Sequence, residues 1–332
     1  MRILAACCLV VCAAVAVAAG ESDLLALLPA PPKTLPQRAD APPFDPTAGT
    51  ALAPSVRLVS GERVVLDGVF QIDKGPSDGL EVLACLREGK THETLVRLTA
   101  ERGDVIKAAC LAAFPLTDGR PAEENRGVPA RGTPMSLTLL WRNEDGQWVW
   151  ADAATLIRDR KTDRAFPALP WLWTGSRMLL VTETGPDGKP ARRERFMLDS
   201  TRSLAVNYDE PDALFASPFP AADEDSRFEV NSAIVPPATT KVHLVISTAP
   251  TVMQLRLTPD GRIALEDTVM DDAGLTTALA TAFADSAKPV HRAIFVRTAN
   301  GVGDDQVVAA RGRLLAIAAN AKVWSVPLFV PE

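Results

Sequence analysis

The stretch Ser136-Leu137-Thr138-Leu139-Leu140-Trp141-Arg142-Asn143-Glu144-Asp145-Gly146-Gln147-Trp148-Val149-Trp150 holds two apolar, tryptophan-bearing runs around a polar turn. Asp145-Gly146 accepts the positive φ angles that a tight hairpin turn requires. Aromatic and alternating flanks favour extended backbone. The stretch therefore predicts a β-hairpin. Short runs of the same kind lie on either side of it: Arg63 to Leu66, Val69 to Ile72 and Leu80 to Leu86 before, and Trp171 to Trp173, Met178 to Glu183 and Arg195 to Leu198 after. One helix interrupts them, from about Glu101 to Phe114, with Val105, Ala108, Ala109 and Ala112 on one side. Asn207 to Asp225 reads as an irregular loop. This part of the chain is expected to be β-rich with few helices.

The pattern changes near residue 249. Met253 to Leu257 and Arg262 to Leu265 flank Pro259-Asp260-Gly261 as a hairpin. Asp271 or Asp272 can cap a helix carrying Leu275, Leu279 and Phe283 at four-residue spacing. Ala293 to Arg297 follows as a strand, and Asp304-Asp305 opens a helix with Val307, Val308, Leu314, Leu315 and Ala318 inward. Val323 to Val330, interrupted by Pro327, closes as a strand. The order is β-β-α-β-α-β, so the fold class is α+β: a β-rich domain over 55–248, then a small ββαβαβ α/β sandwich over 249–332.

The N-terminal end reads as an address. Met1-Arg2 precedes an uncharged run from Ile3 to Ala19, and Val17-Ala18-Ala19 suits a signal peptidase, which gives a signal peptide over 1–19. A retained membrane anchor through residues 3–19 is the alternative. The run is short for a span and mostly alanine, which inserts weakly. Leu4-Ala5-Ala6-Cys7 has lipobox spelling but sits too near the start for a full apolar core. Residues 20–54 are crowded with proline and read as a semi-rigid extended tether. With Cys7, Cys8 and Cys12 inside the leader, Cys85 and Cys110 remain in the mature chain. A net charge of −6 without a basic stripe disfavours nucleic acid as a partner.

Reactive groups gather in one place. Leu80 to Cys85 is followed by Lys90-Thr91-His92-Glu93, so Cys85, Lys90, His92 and Glu93 form the candidate functional cluster. An imidazolium near a thiol lowers its pKa and activates it, which opens a redox, nucleophilic or metal-dependent reading. The plainer reading is a packed thiol in a strand and a structural imidazole bonded to a neighbouring strand. A Cys85–Cys110 bond would suit an exported protein. His92-Glu93 lacks the second histidine of a zinc-protease helix, where Val96 stands. His92, His243 and His291 are too scattered to predict zinc, so no metal, cofactor or catalytic residue is assigned.

Other motifs reduce to structure. Gly301-Val302-Gly303 leads into Asp304-Asp305, whose charges repel phosphate, and reads as a helix cap. Ser176 after Gly175 lacks the flanking glycines of a hydrolase elbow. Asp223-Glu224-Asp225 lacks calcium-loop spacing. Trp141, Trp148 and Trp150 could line a groove, but adjacent strands commonly pack aromatics as core.

Two resemblances add to this. Gly79 to Cys85, Lys90 to Glu93, Val105 to Phe114, Trp171 to Ser176 and Ile234-Val235-Pro236-Pro237-Ala238-Thr239-Thr240 resemble, in order, the blocks of a YdjY-type domain, over about Val56 to Ser247. Ala238 stands where such domains often carry glycine. That family has no established activity and supplies no catalytic residues. Val252 to Leu255, Asp260 to Leu265, Ala293 to Arg297 and the closing helix and strand are similar to the periplasmic part of ExbD/TolR proteins, over about Pro250 to Val330. Those proteins couple ion flow through an aspartate-bearing transmembrane helix, whereas the run Ile3 to Ala19 has no carboxylate. The resemblance implies the soluble module alone, which in that family engages envelope components and often dimerises.

The sequence thus leads to an extracytoplasmic, non-catalytic protein of the periplasm or cell envelope, binding an envelope protein or a cell-wall component. A homodimer stays open. The competing expectation is a redox or metal-dependent activity centred on Cys85, His92 and Glu93.

Overall fold

The computed structural model describes residues 24–35, 38–59, 62–75, 79–123, 127–184, 189–208, 210–219, 226–251, 253–284 and 293–332. The expected leader, Asp223-Glu224-Asp225, Val252 and His291 lie outside the described residues. In chain order the strands begin with β1 (Arg38–Ala39), β2 (Thr50–Ala53), β3 (Val56–Val59), β4 (Arg63–Phe70), β5 (Val82–Cys85), β6 (Thr94–Leu98), β7 (Thr133–Arg142) and β8 (Trp148–Asp152). They continue with β9 (Ile157–Asp159), β10 (Arg164–Ala165), β11 (Trp171–Trp173), β12 (Met178–Thr184), β13 (Pro190–Phe196), β14 (Ser203–Val206), β15 (Phe215–Ala216), β16 (Phe228–Val230) and β17 (Lys241–Thr248). The last five are β18 (Met253–Leu257), β19 (Ile263–Leu265), β20 (Thr268–Val269), β21 (Ala293–Thr298) and β22 (Val326–Pro331).

A closed barrel organises the first part. From β4 the pairing runs through β17, β7, β11, β15, β14, β5 and β6 and returns to β4. An eight-strand barrel has an interior just wide enough for side chains to fill. Leu66, Leu244 and Leu139 are register partners across β4, β17 and β7, and all three are fully buried inside. Phe70 meets Trp141 edge-on at 5.4 Å in the same interior. Strand pairing is tight enough elsewhere to demand glycine: a Cβ at Gly132 would lie 1.9 Å from the Trp173 carbonyl oxygen.

Alternation sends the next residues outward. Val65, Leu140 and Val245 form a second, small apolar cluster on the outer face with Val59, and Phe44, Trp148 and Trp150 pack against it. The tryptophan cluster expected from sequence is therefore divided, Trp141 inside and the other two outside. The proline-rich tether is corrected as well. Its described residues belong to the folded body: Leu24 and Leu28 are buried, β1 pairs with β8 and β2 with β3. Proline limits sheet and helix, but the apolar residues between the prolines still gain by burial.

The C-terminal part is a five-stranded sheet in the order β20-β19-β18-β21-β22, parallel where β18, β21 and β22 meet. Helices Asp272–Ala282 and Asp304–Asn320 accompany it. The side chain of Asp271 caps the first, accepting a hydrogen bond from the Gly274 amide at 2.8 Å. This sheet adjoins the barrel: the Gly132 amide donates to the Phe329 carbonyl at 3.2 Å, and Arg131 forms an ion pair with Asp304. Trp324 reaches Phe219 at 6.3 Å between ring centres. One apolar core runs from Leu24 to Phe329. No helix among the described residues is long and apolar enough to cross a membrane.

Candidate functional site

The loop between β5 and β6 is short and wound on itself, which places Lys90 at its centre. The Gly89 amide donates to Leu86, the Thr91 amide to Gly89 and the Thr94 hydroxyl to the Lys90 carbonyl. Lys90 Nζ then lies 3.4 Å from Glu93, 3.4 Å from Glu210 and 3.9 Å from Glu81. Glu210 arrives from 117 positions beyond Glu93 because the Asn207 and Tyr208 amides both donate to the Glu81 carbonyl. Burial opposes the charge on Lys90, but Glu210, Glu93 and Glu81 outweigh it and raise the ammonium pKa. A lysine held protonated is an electrostatic clamp for three carboxylates, and it lacks the free lone pair a nucleophile needs.

Cys85 and His92 are separated in character. Cys85 is fully buried on β5, opposite Arg97 on β6 and Ser203 on β14. Burial pushes its thiol pKa up, only partly offset by Thr94 and Arg97. The His92 side chain is 73% exposed, with Nε2 3.9 Å from Glu93. Cys110 is also a free, buried thiol, its pKa raised by burial, so no bond joins it to Cys85. Of the four candidates, the structure gathers Lys90, Glu93 and, at the rim, His92. Among the described residues no group of three or more His, Cys, Asp or Glu is arranged to hold a metal ion.

A second polar constellation escaped the sequence reading. His243 and Asp67 are register partners on β17 and β4, and their side chains meet at 2.8 Å through Nδ1. Arg57 from β3 holds the other side of the same carboxylate at 2.6 Å and donates to the Pro46 carbonyl at 3.0 Å. Trp148 stands 6.0 Å from the imidazole, and Arg142 lies over Trp148 at 4.4 Å. Alternation alone would place Asp67 and His243 outside. Their meeting depends on a pairing 176 residues apart, which no local pattern signals.

Burial disfavours ionisation of Asp67, but the bonds from His243 and Arg57 prevail and hold its pKa at about 2. A depressed folded-state pKa contributes stability above the ordinary value and loses it as pH falls through the folded one. Asp67→Asn should therefore destabilise by ~1–2 kcal/mol near neutrality, after allowance for solvent screening. The gap to wild type should close as the pH approaches about 2. Urea unfolding across the acid range measures this, and a gap that does not narrow would exclude the linkage.

An open groove lies at one mouth of the barrel. It is a groove of about 670 Å³ between Lys33 to Leu35, the hairpin turn Asn143 to Asp145, and Ala233 to Pro237. Trp141 and Arg142 also line it. Neither Cys85 nor His92 lines it. Comparison of the chain with family models, curated proteins and solved structures returned no match.

Proposed function

We propose that this chain is an exported, non-catalytic protein of the cell envelope, in which a YdjY-like barrel and an ExbD/TolR-like α/β module present a binding surface to an envelope partner. The groove of about 670 Å³ at the barrel mouth is the observation that carries the reading. Its walls combine apolar Leu35, Ile234 and Val235 with the cations Lys33 and Arg142 and the anions Glu144 and Asp145. Apolar walls with a few placed charges suit recognition of an extended segment carrying both signs of charge, such as a peptide from an envelope protein or from the cell wall. Pro236 and Pro237 stiffen one side, which reduces the ordering needed on binding.

The redox alternative asks Cys85 to ionise at a buried position where burial holds the thiol protonated. Two measurements on intact cells test the proposal. Osmotic shock should release the protein with the leader removed. Photo-crosslinkers at Thr34 and Asn143 should give envelope adducts that the same probe at exposed Asp163 does not. Retention in the cytoplasm, or one adduct pattern from all three positions, would overturn it, while rapid alkylation of Cys85 in the folded protein would favour the redox alternative.

A further inference from the structure

Strands β12 and β13 form a two-stranded sheet of their own, paired over seven positions from Met178 with Phe196 to Thr184 with Pro190. An isolated hairpin is only marginally stable in water, and an open edge invites another strand. The two edges differ. β13 carries Pro190, Arg192, Arg193, Glu194 and Arg195, which block added strands through a missing donor and a row of charges. β12 is Met178-Leu179-Leu180-Val181-Thr182-Glu183-Thr184, with one charge and no proline. Met178 and Leu180 on this strand are 53% and 62% exposed, among the largest apolar exposures in the protein. No strand among the described residues pairs with its outer edge.

We propose that this edge is closed by the same edge of a second copy, running antiparallel about Val181, to give a four-stranded sheet across a two-fold axis. The sequence is self-complementary in that register. Leu179 faces Glu183 of the partner subunit and Leu180 faces Thr182 of the partner subunit, so no like charges stand opposite. Within the hairpin Arg195 already forms an ion pair with Glu183 of its own chain, so each Glu183 enters the contact with its charge matched. The two arginine-rich strands remain outermost and farthest apart. An isologous contact of this kind closes and does not propagate.

Sedimentation equilibrium of the full chain tests this. Wild type should dimerise at micromolar concentration. Leu180→Lys should weaken the dimer by about tenfold or more, with unchanged circular dichroism, because Glu194 opposite position 180 accommodates the lysine within the hairpin. Val181→Cys should yield a disulfide-linked dimer on mild oxidation, and Arg193→Cys, its neighbour on the guarded strand, should not. A monomer at every concentration, a dimer indifferent to Leu180→Lys, or equal crosslinking from both cysteines would each overturn the proposal.

Discussion

Arg227→Met is expected to destabilise the protein by about 3–5 kcal/mol, because it strands a buried carboxylate. Asp159 is 1% exposed and Arg227 4% exposed. The guanidinium donates to Asp159 Oδ2 through Nε at 3.0 Å and through a terminal nitrogen at 2.6 Å. Oδ1 is occupied separately, by the Lys161 amide at 2.8 Å and the Thr162 amide at 3.3 Å. The loop amides alone satisfy one oxygen and leave the other without its cation. The substitution conserves much of the apolar volume, so the loss reports the missing charge and its hydrogen bonds. A pair of this kind adds little over an apolar pair of the same shape, but losing one member is severe. Arg227→Met with Asp159→Leu should therefore be less damaging than the two single changes added together. Urea unfolding of the four proteins gives the coupling energy. Additive losses would show that the two residues act independently.

The position of that pair explains its reach. Asp159 and Phe228 are register partners on β9 and β16, which with β10 make the small sheet beside the barrel. Phe228 and Phe166 pack at 5.0 Å, Phe219 joins both, and Trp324 of the C-terminal part touches Phe219. Arg227 itself lies over the Phe219 ring at 5.6 Å. Loss of Asp159–Arg227 should thus loosen the aromatic layer through which the two parts of the chain meet.

What was legible in the sequence is what neighbouring residues decide. The Asp145-Gly146 turn holds because Gly146 takes φ +77°, and the strands on either side pair as expected. The helix anticipated over Glu101 to Phe114 spans Gly103–Ala113, and Asp271 supplies the cap that one of two aspartates was expected to give. Closure of the barrel was hidden. β15 is two residues long, inside a segment that reads as irregular, and it bridges β11 and β14. Too short for any periodicity, it is defined by its partners. The burial of Leu24 and Leu28 is of the same kind, since a proline-rich segment announces its dihedral angles but not the surface it meets. At the candidate site, Lys90 and Glu93 are close by spacing, whereas Glu81 and Glu210 join them through tertiary contacts. The thiol and imidazole are near in sequence, and the strand buries one while the loop exposes the other.

Trp141→Ala should cost about 3–5 kcal/mol, the range for removing a fully buried large aromatic. Trp141 is 1% exposed at the end of β7, edge-on to Phe70 and next to Val242 and Val149 across the strands. Phe70, Val242 and Val149 are held by the strand pairing of the barrel and do not shift to fill the space, and only the groove side, toward Leu35 and Ile234, is open. A residual cavity is therefore expected, and with it a penalty beyond simple transfer from water. Trp148→Ala is the internal comparison. Trp148 is half-buried on the outer face, against the small apolar cluster there and beside His243 and Arg142, and its removal should lower stability by about 1 kcal/mol. The two substitutions delete the same atoms from one hairpin, so their difference isolates inside from outside. Equal midpoint shifts in urea, with an unchanged slope, would mean that Trp141 stands in an open groove and that the barrel interior is not packed as described. A large shift for Trp141 alone fixes the boundary between core and groove at this residue. The groove is then a depression over a solid barrel.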